Sequence, residues 1–191
     1  MQNTGHEEQT PAASPRTEGD AELVTAIRRG DREAAAGLLI ATHAPALGRT
    51  CMALLGSQAE AEDALQETLG EALEGSSDLL GEGSLRGWLY RIARRRCAAR
   101  VERRGRQRAA EAASAPADSL TGAEQVALAR RARALLSEVR PTEREALVLR
   151  FEAELSFREV GEACGIDEAA ARKRVSRGLS RLRGSSSEDD S

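Results

Sequence analysis

The segment from Glu154 to Gly184, ELSFREVGEACGIDEAAARKRVSRGLSRLRG, constrains the fold of this chain more than any other. Ser156 can cap a short helix, because Glu159 stands three residues on, where a capping box needs it. Gly165 supplies the positive φ of a sharp turn, and Asp167 can cap a second helix. One face of that second helix is apolar at helical spacing: Ala171, Val175, Leu179 and Leu182. The pattern predicts two short helices joined by a tight turn.

The opposite face of the second helix is basic and polar. It carries Arg172, Lys173, Arg174, Ser176, Arg177 and Arg181. Such a helix suits the major groove of DNA, where its N-terminal half meets base edges and flanking groups hold phosphates. We expect Arg172 and Lys173 near bases, and Arg174, Arg177 and Arg181 nearer phosphates. Periodicity alone also allows a solvated basic helix in a bundle.

Composition favours helices throughout the chain. Aromatic residues make up 2% of it, and 17 glycines and 5 prolines stand among recurring Ala, Leu, Arg and Glu. The stretch 109–122 is rich in Ala, Ser, Pro and Asp with little periodicity, which is typical of a linker. We therefore predict an all-α protein of two small helical domains, 20–108 and 123–184, joined by a flexible linker that lets them sit apart. Residues 1–19 and 185–191 are predicted to be a disordered N-terminal tail and an acidic tail.

Short polar signals predict where other helices begin and end. Asp20 and Asp31 each precede a stretch of helical periodicity and are predicted N-caps, and Gly56 is predicted to end the second helix. After Arg140-Pro141, Thr142 is the predicted cap of a later helix, with Glu145 at the capping-box position.

Charge is sorted along the chain, although the net charge is only -3. The segment from Arg86 to Arg108 is dense in arginine and contains one acidic residue, Glu102. It also has an apolar stripe at helical spacing: Leu85, Trp88, Leu89 and Ile92. We predict an amphipathic helix with an arginine face. Trp88, the only tryptophan, is interpreted as a core residue and not as a platform for base stacking.

An acidic helix is predicted just before the arginine-rich one. Its apolar stripe consists of Ala61, Leu65, Leu69, Ala72 and Leu73. Its other face carries Glu60, Asp63, Gln66, Glu67 and Glu71. That face would repel phosphates, so it is better suited to a protein partner than to DNA. An ordinary solvated helix face is the alternative.

Cysteine and histidine give no sign of metal or catalytic chemistry. Cys51, Cys97 and Cys164 are odd in number and widely spaced, so we interpret them as small buried residues. Neither His6 nor His43 lies near a plausible nucleophile or metal set, so we expect neither an enzyme nor a cofactor. No apolar run approaches 18 residues and no signal peptide is recognisable, so we expect a cytoplasmic protein without membrane insertion.

Three stretches of the chain resemble the extracytoplasmic-function (ECF) sigma factors of the sigma-70 family. AEAEDALQETL is similar to their region 2.2, GSLRGWLYRIARRR to the start of region 2.4, and PTEREALVLRFEAELSFREVGEACGI to region 4. The likeness runs from about Asp20 to Gly184.

The resemblance implies an RNA polymerase sigma factor that reads the −10 promoter element with its first domain and the −35 element with its second. It implies that Asp63, Gln66 and Glu67 dock on the clamp helices of the β′ subunit of core polymerase, and that the β flap is a further contact. It also implies that Arg91, Arg94 and Arg95 approach −10 DNA. An anti-sigma factor is a further partner that the family suggests.

The chain departs from the family in its scarcity of aromatic residues. Ala35, Leu69, Leu73 and Leu79-Leu80 stand where relatives commonly carry aromatics, and the loop 74–84 corresponds to the family's pocket for an extruded base. Because aromatic stacking contributes about 1 to 3 kcal/mol per base, we expect weaker capture of the melted strand. Two alternatives stay open: a helix-turn-helix regulator that binds DNA without polymerase, and a sigma-like adaptor that binds polymerase without melting promoters.

Overall fold

The structure is a computed structural model that describes residues 18–74, 83–112 and 139–188. Seven α-helices occupy these three ranges, and no strand occurs in them. In chain order they are α1 Glu18–Arg29, α2 Arg32–Leu55, α3 Gln58–Glu74, α4 Leu85–Ala112, α5 Pro141–Phe151, α6 Phe157–Cys164 and α7 Glu168–Glu188. The prediction of an all-α protein with two helical domains is confirmed.

The ends of α2 follow the predicted local chemistry. The Asp31 carboxylate accepts a hydrogen bond from the Ala34 N–H at 3.0 Å, which satisfies one of the unpaired donors at the helix start. Gly56 ends the helix with a φ of 67°, and its N–H donates to the Met52 carbonyl at 2.8 Å. Both predicted boundaries are confirmed.

The prediction that Asp20 caps α1 is wrong. The helix begins at Glu18, so Asp20 lies within its first turn. Its carboxylate there lies 3.0 Å from Nε2 of His43, which is buried on α2. Burial lowers the pKa of His43, against the opposing effect of the Asp20 charge. Asp20 therefore joins α1 to α2.

The predicted capping box at Thr142 and Glu145 is also wrong. Helix α5 begins at Pro141, with Arg140 at the N-cap position and no side-chain cap. Proline fits the first helical position because its missing N–H would have had no partner there. Glu145 instead faces the other domain, with its carboxylate 3.3 Å from Arg94.

We refer to helices α1 to α4 as the first domain and to α5 to α7 as the second, following the division predicted from the sequence. In the first, α2 packs against each of the other three helices, and α3 also packs against α4. The largest fully buried side chains come from both domains: Tyr90, Leu23, Leu39, Leu47, Leu89, Leu149 and Leu155. Trp88 is 8% exposed and belongs to this apolar cluster, so its interpretation as a core residue is confirmed.

The two domains touch, which differs from the expectation that a linker lets them sit apart. Helix α4 lies against α6, and α2 lies against α5. Helix α4 also continues to Ala112, into the predicted linker. The rest of that linker and most of the 74–84 loop lie outside the described residues. The contacts between domains depend on side chains far apart in sequence, which local composition does not reveal.

Within the described ranges, α2 is the one helix long and apolar enough to cross a membrane by length and composition alone. Its inward face is buried in the first domain, as the inward face of a core helix is. Cys51 and Cys97 are buried and unbridged, and Cys164 is half-buried. The described part of the chain has no cluster of His, Cys, Asp or Glu suited to a metal ion.

Candidate nucleic-acid and protein-docking surfaces

Helices α6 and α7 and the turn between them form a helix-turn-helix. The Ser156 hydroxyl accepts from the Glu159 N–H at 3.2 Å, and the Glu159 carboxylate accepts from the Ser156 N–H at 2.8 Å. Gly165 ends α6 with a φ of 68°. Asp167 caps α7 by accepting from the Ala170 N–H at 2.6 Å. All four predicted roles are confirmed, and together they fix the angle between the two helices.

The turn is tight because Gly161 has no side chain. Its carbonyl accepts a hydrogen bond from the Ile166 N–H at 3.0 Å. A Cβ at position 161 would lie 2.7 Å from the Ile166 carbonyl oxygen, well inside van der Waals contact. The role of Gly161 was not predicted from the sequence, because a glycine within a helical pattern carries no local sign of a close approach.

The N-terminal half of α7 presents its basic face to solvent. Its exposed side chains include Arg172, Lys173, Ser176 and Arg177. Ala171 and Val175 are buried against the other helices of the domain, as the apolar stripe predicted. The exposed side chains thus stand where a recognition helix would meet the major groove.

Arg172 is held by two neighbouring side chains. Its guanidinium lies over the Phe157 ring, 4.3 Å from the centroid, and donates to the Glu168 carboxylate at 3.0 Å. Arg150 also lies over this ring, at 4.9 Å. Together these contacts restrict the rotamers of the Arg172 side chain. The contact with Phe157 was not predicted, although the aromatic residue directly after the Ser156 cap was the available signal.

Arg174 and Arg181 are less available than the rest of the basic face. Arg174 is half-buried. The Arg181 Nε lies 2.9 Å from the carboxylate of Glu143, whose side chain is 4% exposed. Arg181 therefore joins α7 to α5, and a phosphate contact by Arg181 would compete with this ion pair.

A ladder of ion pairs joins α3 to α4, which run antiparallel. We call it the α3–α4 ladder; its pairs are Glu71 with Arg95 and Arg96, Glu67 with Arg96 and Arg100, and Glu60 with Arg104. The pairing of these two helices was not predicted; α3 was assigned to a protein partner and α4 to DNA. Carboxylates at 60, 67 and 71 and arginines at 96, 100 and 104 share helical spacing, and that was the available signal.

The innermost pair of the ladder joins Glu67 to Arg100. The guanidinium donates to both carboxylate oxygens, at 2.9 and 3.1 Å, and the Arg100 side chain is only 7% exposed. These bonds lower the pKa of Glu67 and raise that of Arg100. Asp63 and Gln66 are exposed on the same helix. All three residues of the predicted docking set are therefore exposed, and Glu67, at 48% exposure, is the one held in an ion pair within the protein.

The Glu67–Arg100 pair makes stability depend on pH. Because the folded-state pKa of Glu67 is lowered, its contribution is present above the unfolded value, about 4.3, and is lost as the pH falls through the folded value. We expect the variant Glu67→Gln to melt below the wild type at pH 7 and at the same temperature as wild type at about pH 2. Circular dichroism melts across this range measure it. Glu74→Gln, an exposed carboxylate on the same helix, is the control; an equal shift there would contradict the assignment.

The arginines predicted to contact −10 DNA occupy three different settings. Arg91 is exposed. Arg95 is exposed but forms an ion pair with Glu71. The Arg94 Nε donates to the Ala163 carbonyl at 3.0 Å, so this side chain faces the second domain.

Two family models match the chain, one for each domain. The model for Sigma-70 region 2 matches residues 39–107, and that for Sigma-70, region 4 matches residues 129–182. Together they cover more than half of the chain and most of α2 to α7. They define the class of protein as a sigma-70 transcription factor.

Comparison with individual proteins narrows the classification to one group of the sigma-70 family. The chain is 33% identical over 153 residues to the ECF RNA polymerase sigma factor SigE of Mycolicibacterium smegmatis; the match covers 76% of this chain and 59% of that relative. Among solved structures, CnrH in complex with the cytosolic domain of CnrY has a TM-score of 0.69 at 23% identity and covers 91% of this chain and 100% of its own. RpoE in complex with the anti-sigma factor NepR from Bartonella quintana has a TM-score of 0.60 at 23% identity. This match covers 76% of this chain and 92% of the RpoE chain. The chain belongs to the ECF group of the sigma-70 family, whose members are regulatory proteins.

Proposed function

We propose that this protein is an RNA polymerase sigma factor that directs promoter-specific transcription initiation. Its first domain would bind core polymerase and the −10 element, and its second the −35 element. The observation that carries the proposal is a complete helix-turn-helix with an exposed basic face, in a chain whose two domains both match sigma-70 regions. We infer that it acts in the cytoplasm, where polymerase meets the genome, and that it is not itself an enzyme.

The second domain is proposed to read the −35 element through α7. Arg172 and Lys173 would meet base edges, because they lie near the N-terminus of the helix and are exposed. Ser176, Arg177 and Arg174 would contact the backbone farther along the helix. Binding should weaken as salt rises: for each phosphate that the protein neutralises, log K should fall by about 0.9 for every tenfold increase in salt concentration.

The first domain is proposed to contact both polymerase and DNA. Asp63 and Gln66 are exposed on α3 and would dock on the clamp helices of the β′ subunit, with Glu67 beside them and the β flap as a further contact. Arg91 would approach −10 DNA from α4, together with Arg94 and Arg95 once these leave their partners inside the protein.

Reconstitution with core polymerase tests the proposal. The template is the region upstream of the protein's own gene, transcribed with and without the purified chain. A sigma factor should co-purify with core polymerase and produce a transcript with a defined start that core alone does not make. Failure to bind core, or no change in the transcript start, would rule out the proposed function.

A sigma-like adaptor that binds polymerase without melting the promoter is the second candidate. The observations that favour it are the few aromatic side chains and the internal pairing of Arg94 and Arg95. Permanganate reactivity of thymines around the start site separates the two functions. Reactive thymines with the full complex support initiation, whereas binding without reactivity supports the adaptor.

Replacing Asp63 and Gln66 together by alanine should weaken core binding by about thirtyfold, since two exposed contacts at about 1 kcal/mol each are lost. The affinity for −35 duplex should not change, because α7 lies in the other domain. Fluorescence anisotropy with labelled core and labelled duplex measures both. Glu22→Ala on α1 is an exposed acidic control. Equal loss of core and duplex binding would contradict the assignment of core binding to the first domain and −35 binding to the second.

An anti-sigma factor is part of the proposal. One structural relative was solved with the anti-sigma factor NepR, and another with the cytosolic domain of CnrY. A gene beside that of this protein is the natural source of such a partner. Co-expression of the two products, followed by addition of core polymerase, should show that the partner and core compete for the chain.

A further inference from the structure

The Phe157 ring lies where the two helices of the helix-turn-helix meet. Phe157 is the first residue of α6, directly after the Ser156 cap, and its side chain is half-buried against the core of the second domain. The guanidinium of Arg172, on α7, lies 4.3 Å from the ring centroid. Because the two residues belong to different helices, this contact ties the orientation of Arg172 to α6.

Arg150 contacts the same ring from α5. Its guanidinium lies 4.9 Å from the centroid of the Phe157 ring, and its Nη1 donates to the Leu155 carbonyl at 2.9 Å. Leu155 is fully buried and immediately precedes the Ser156 cap. The ring is therefore packed between the end of α5 and the start of α7, beside a buried stretch of backbone.

The ring attracts the charge of Arg172 without using its hydrogen-bond donors. A cation–π contact acts between the positive charge and the face of the ring, so no N–H group is consumed. An arginine has five N–H donors, and a guanidinium with two of them aligned can bind O6 and N7 of a guanine together. The ring can thus orient Arg172 while leaving donors for a base.

The hydrogen bond from Arg172 to Glu168 is the weaker of the two constraints. The two side chains are 49% and 52% exposed, and both residues lie on α7, one turn apart. Exposed ion pairs of this kind contribute little and are screened by salt. The half-buried ring on another helix is the contact that relates Arg172 to the rest of the domain.

We propose, on the basis of the −35 reading proposed above, that Phe157 is a positioning residue that sets the base specificity of α7 by holding Arg172 in the orientation in which it meets a base. An oriented guanidinium loses less rotamer entropy when it binds. Two parallel hydrogen bonds to one base require alignment, whereas attraction to phosphates requires only charge. The ring should therefore affect discrimination between bases more than general affinity for DNA.

NMR of the full chain tests the contact without DNA. The sequence has two phenylalanines, so a protein labelled at phenylalanine gives ring signals from Phe151 and Phe157 alone. The Phe157 ring should show nuclear Overhauser effects to the δ protons of Arg172. The ring current should also shift these protons upfield in the wild type and in Phe157→Tyr, but not in Phe157→Leu. An Arg172 side chain that does not contact the ring in solution would overturn the proposal.

DNA binding by the full chain tests the specificity. The probe is the duplex that the wild type selects from a random pool, with each base pair then changed in turn. Arg172→Ala identifies the position at which discrimination between base pairs is lost. At that position Phe157→Leu should reduce discrimination by about two- to fivefold, as expected for one exposed cation–π contact, and Phe157→Tyr should restore it. Phe151→Leu is the matched control: Phe151 is 58% exposed, and its replacement should leave discrimination as in the wild type.

A double variant separates positioning from support of the fold. In the Arg172→Ala background, Phe157→Leu should cause no further loss of discrimination, because the group that it positions is gone. A further loss there, or an equal loss at every position of the duplex, would show that Phe157 only supports the helix packing; the −35 reading itself would stand. A random pool that gives no preferred sequence would instead refute the −35 reading, and the specificity role with it, whatever NMR shows for the contact.

Discussion

Replacing Gly161 by valine should reduce binding of −35 duplex to the level of non-specific DNA, a loss of about a thousandfold or more. The new side chain meets the Ile166 carbonyl, a backbone atom in the turn, so the turn must open or α7 must shift. Overpacking of this kind costs about 1 to 3 kcal/mol of stability, and it also moves the recognition helix relative to the rest of its domain. Competition binding with specific and random duplexes measures the ratio of the affinity for the −35 sequence to the affinity for non-specific DNA.

Gly184→Val is the matched control for this prediction. A Cβ at Gly184 meets nothing within 4 Å, and the residue lies in the same domain, near the far end of α7. Its specific binding should remain as in the wild type. If Gly161→Val kept the full preference for the −35 sequence, the turn would be more tolerant than the geometry indicates, and α7 would not depend on it for its position.

Replacing Trp88 by alanine should destabilise the first domain by about 3 to 5 kcal/mol. Trp88 is almost fully buried on α4 beside Leu89 and Ile92, so the substitution leaves a large cavity. Chemical denaturation followed by circular dichroism measures the change in the free energy of unfolding. Tryptophan fluorescence cannot be used, because the variant has lost the only tryptophan of the chain.

Phe151→Ala is the control for Trp88→Ala. It tests whether the loss of stability comes from the burial of the side chain or from its aromatic character. Phe151 is 58% exposed, so its loss should change stability by less than about 0.5 kcal/mol. A Trp88→Ala variant that folds as the wild type does, but binds melted −10 DNA poorly, would show that Trp88 is a base-stacking residue after all.

Local sequence patterns predicted the helix-turn-helix almost completely. The Ser156 capping box, the positive φ of Gly165 and the Asp167 cap depend on neighbours within three residues, so each could be read directly from the chain. The same reasoning failed at Asp20, because its partner, His43, lies on another helix. It failed at Thr142 because Pro141 already satisfies the helix start without a side-chain cap.

The charged surfaces could be predicted only in part. An acidic helix and an arginine-rich helix were both recognised, but the ion pair between Glu67, which was assigned to polymerase, and Arg100 was not predicted. Likewise, nothing within three or four residues of Glu162 indicates that it contacts Ser84, 78 positions away. Periodicity shows which face of a helix is polar, whereas the partner of that face is decided by how the helices pack.

Because of the α3–α4 ladder, a substitution on one of the two helices changes the charge presented by the other. A carboxylate removed from α3 deprives an arginine of α4 of a counter-charge. Under the proposed function, a substitution that weakens polymerase docking would then also strengthen the positive field that DNA meets. Substitutions at Glu67 or Glu71 should therefore have pleiotropic effects, and compensating changes should arise at Arg96 or Arg100. Under the proposed function, polymerase affinity and promoter affinity would therefore not evolve independently along these two helices.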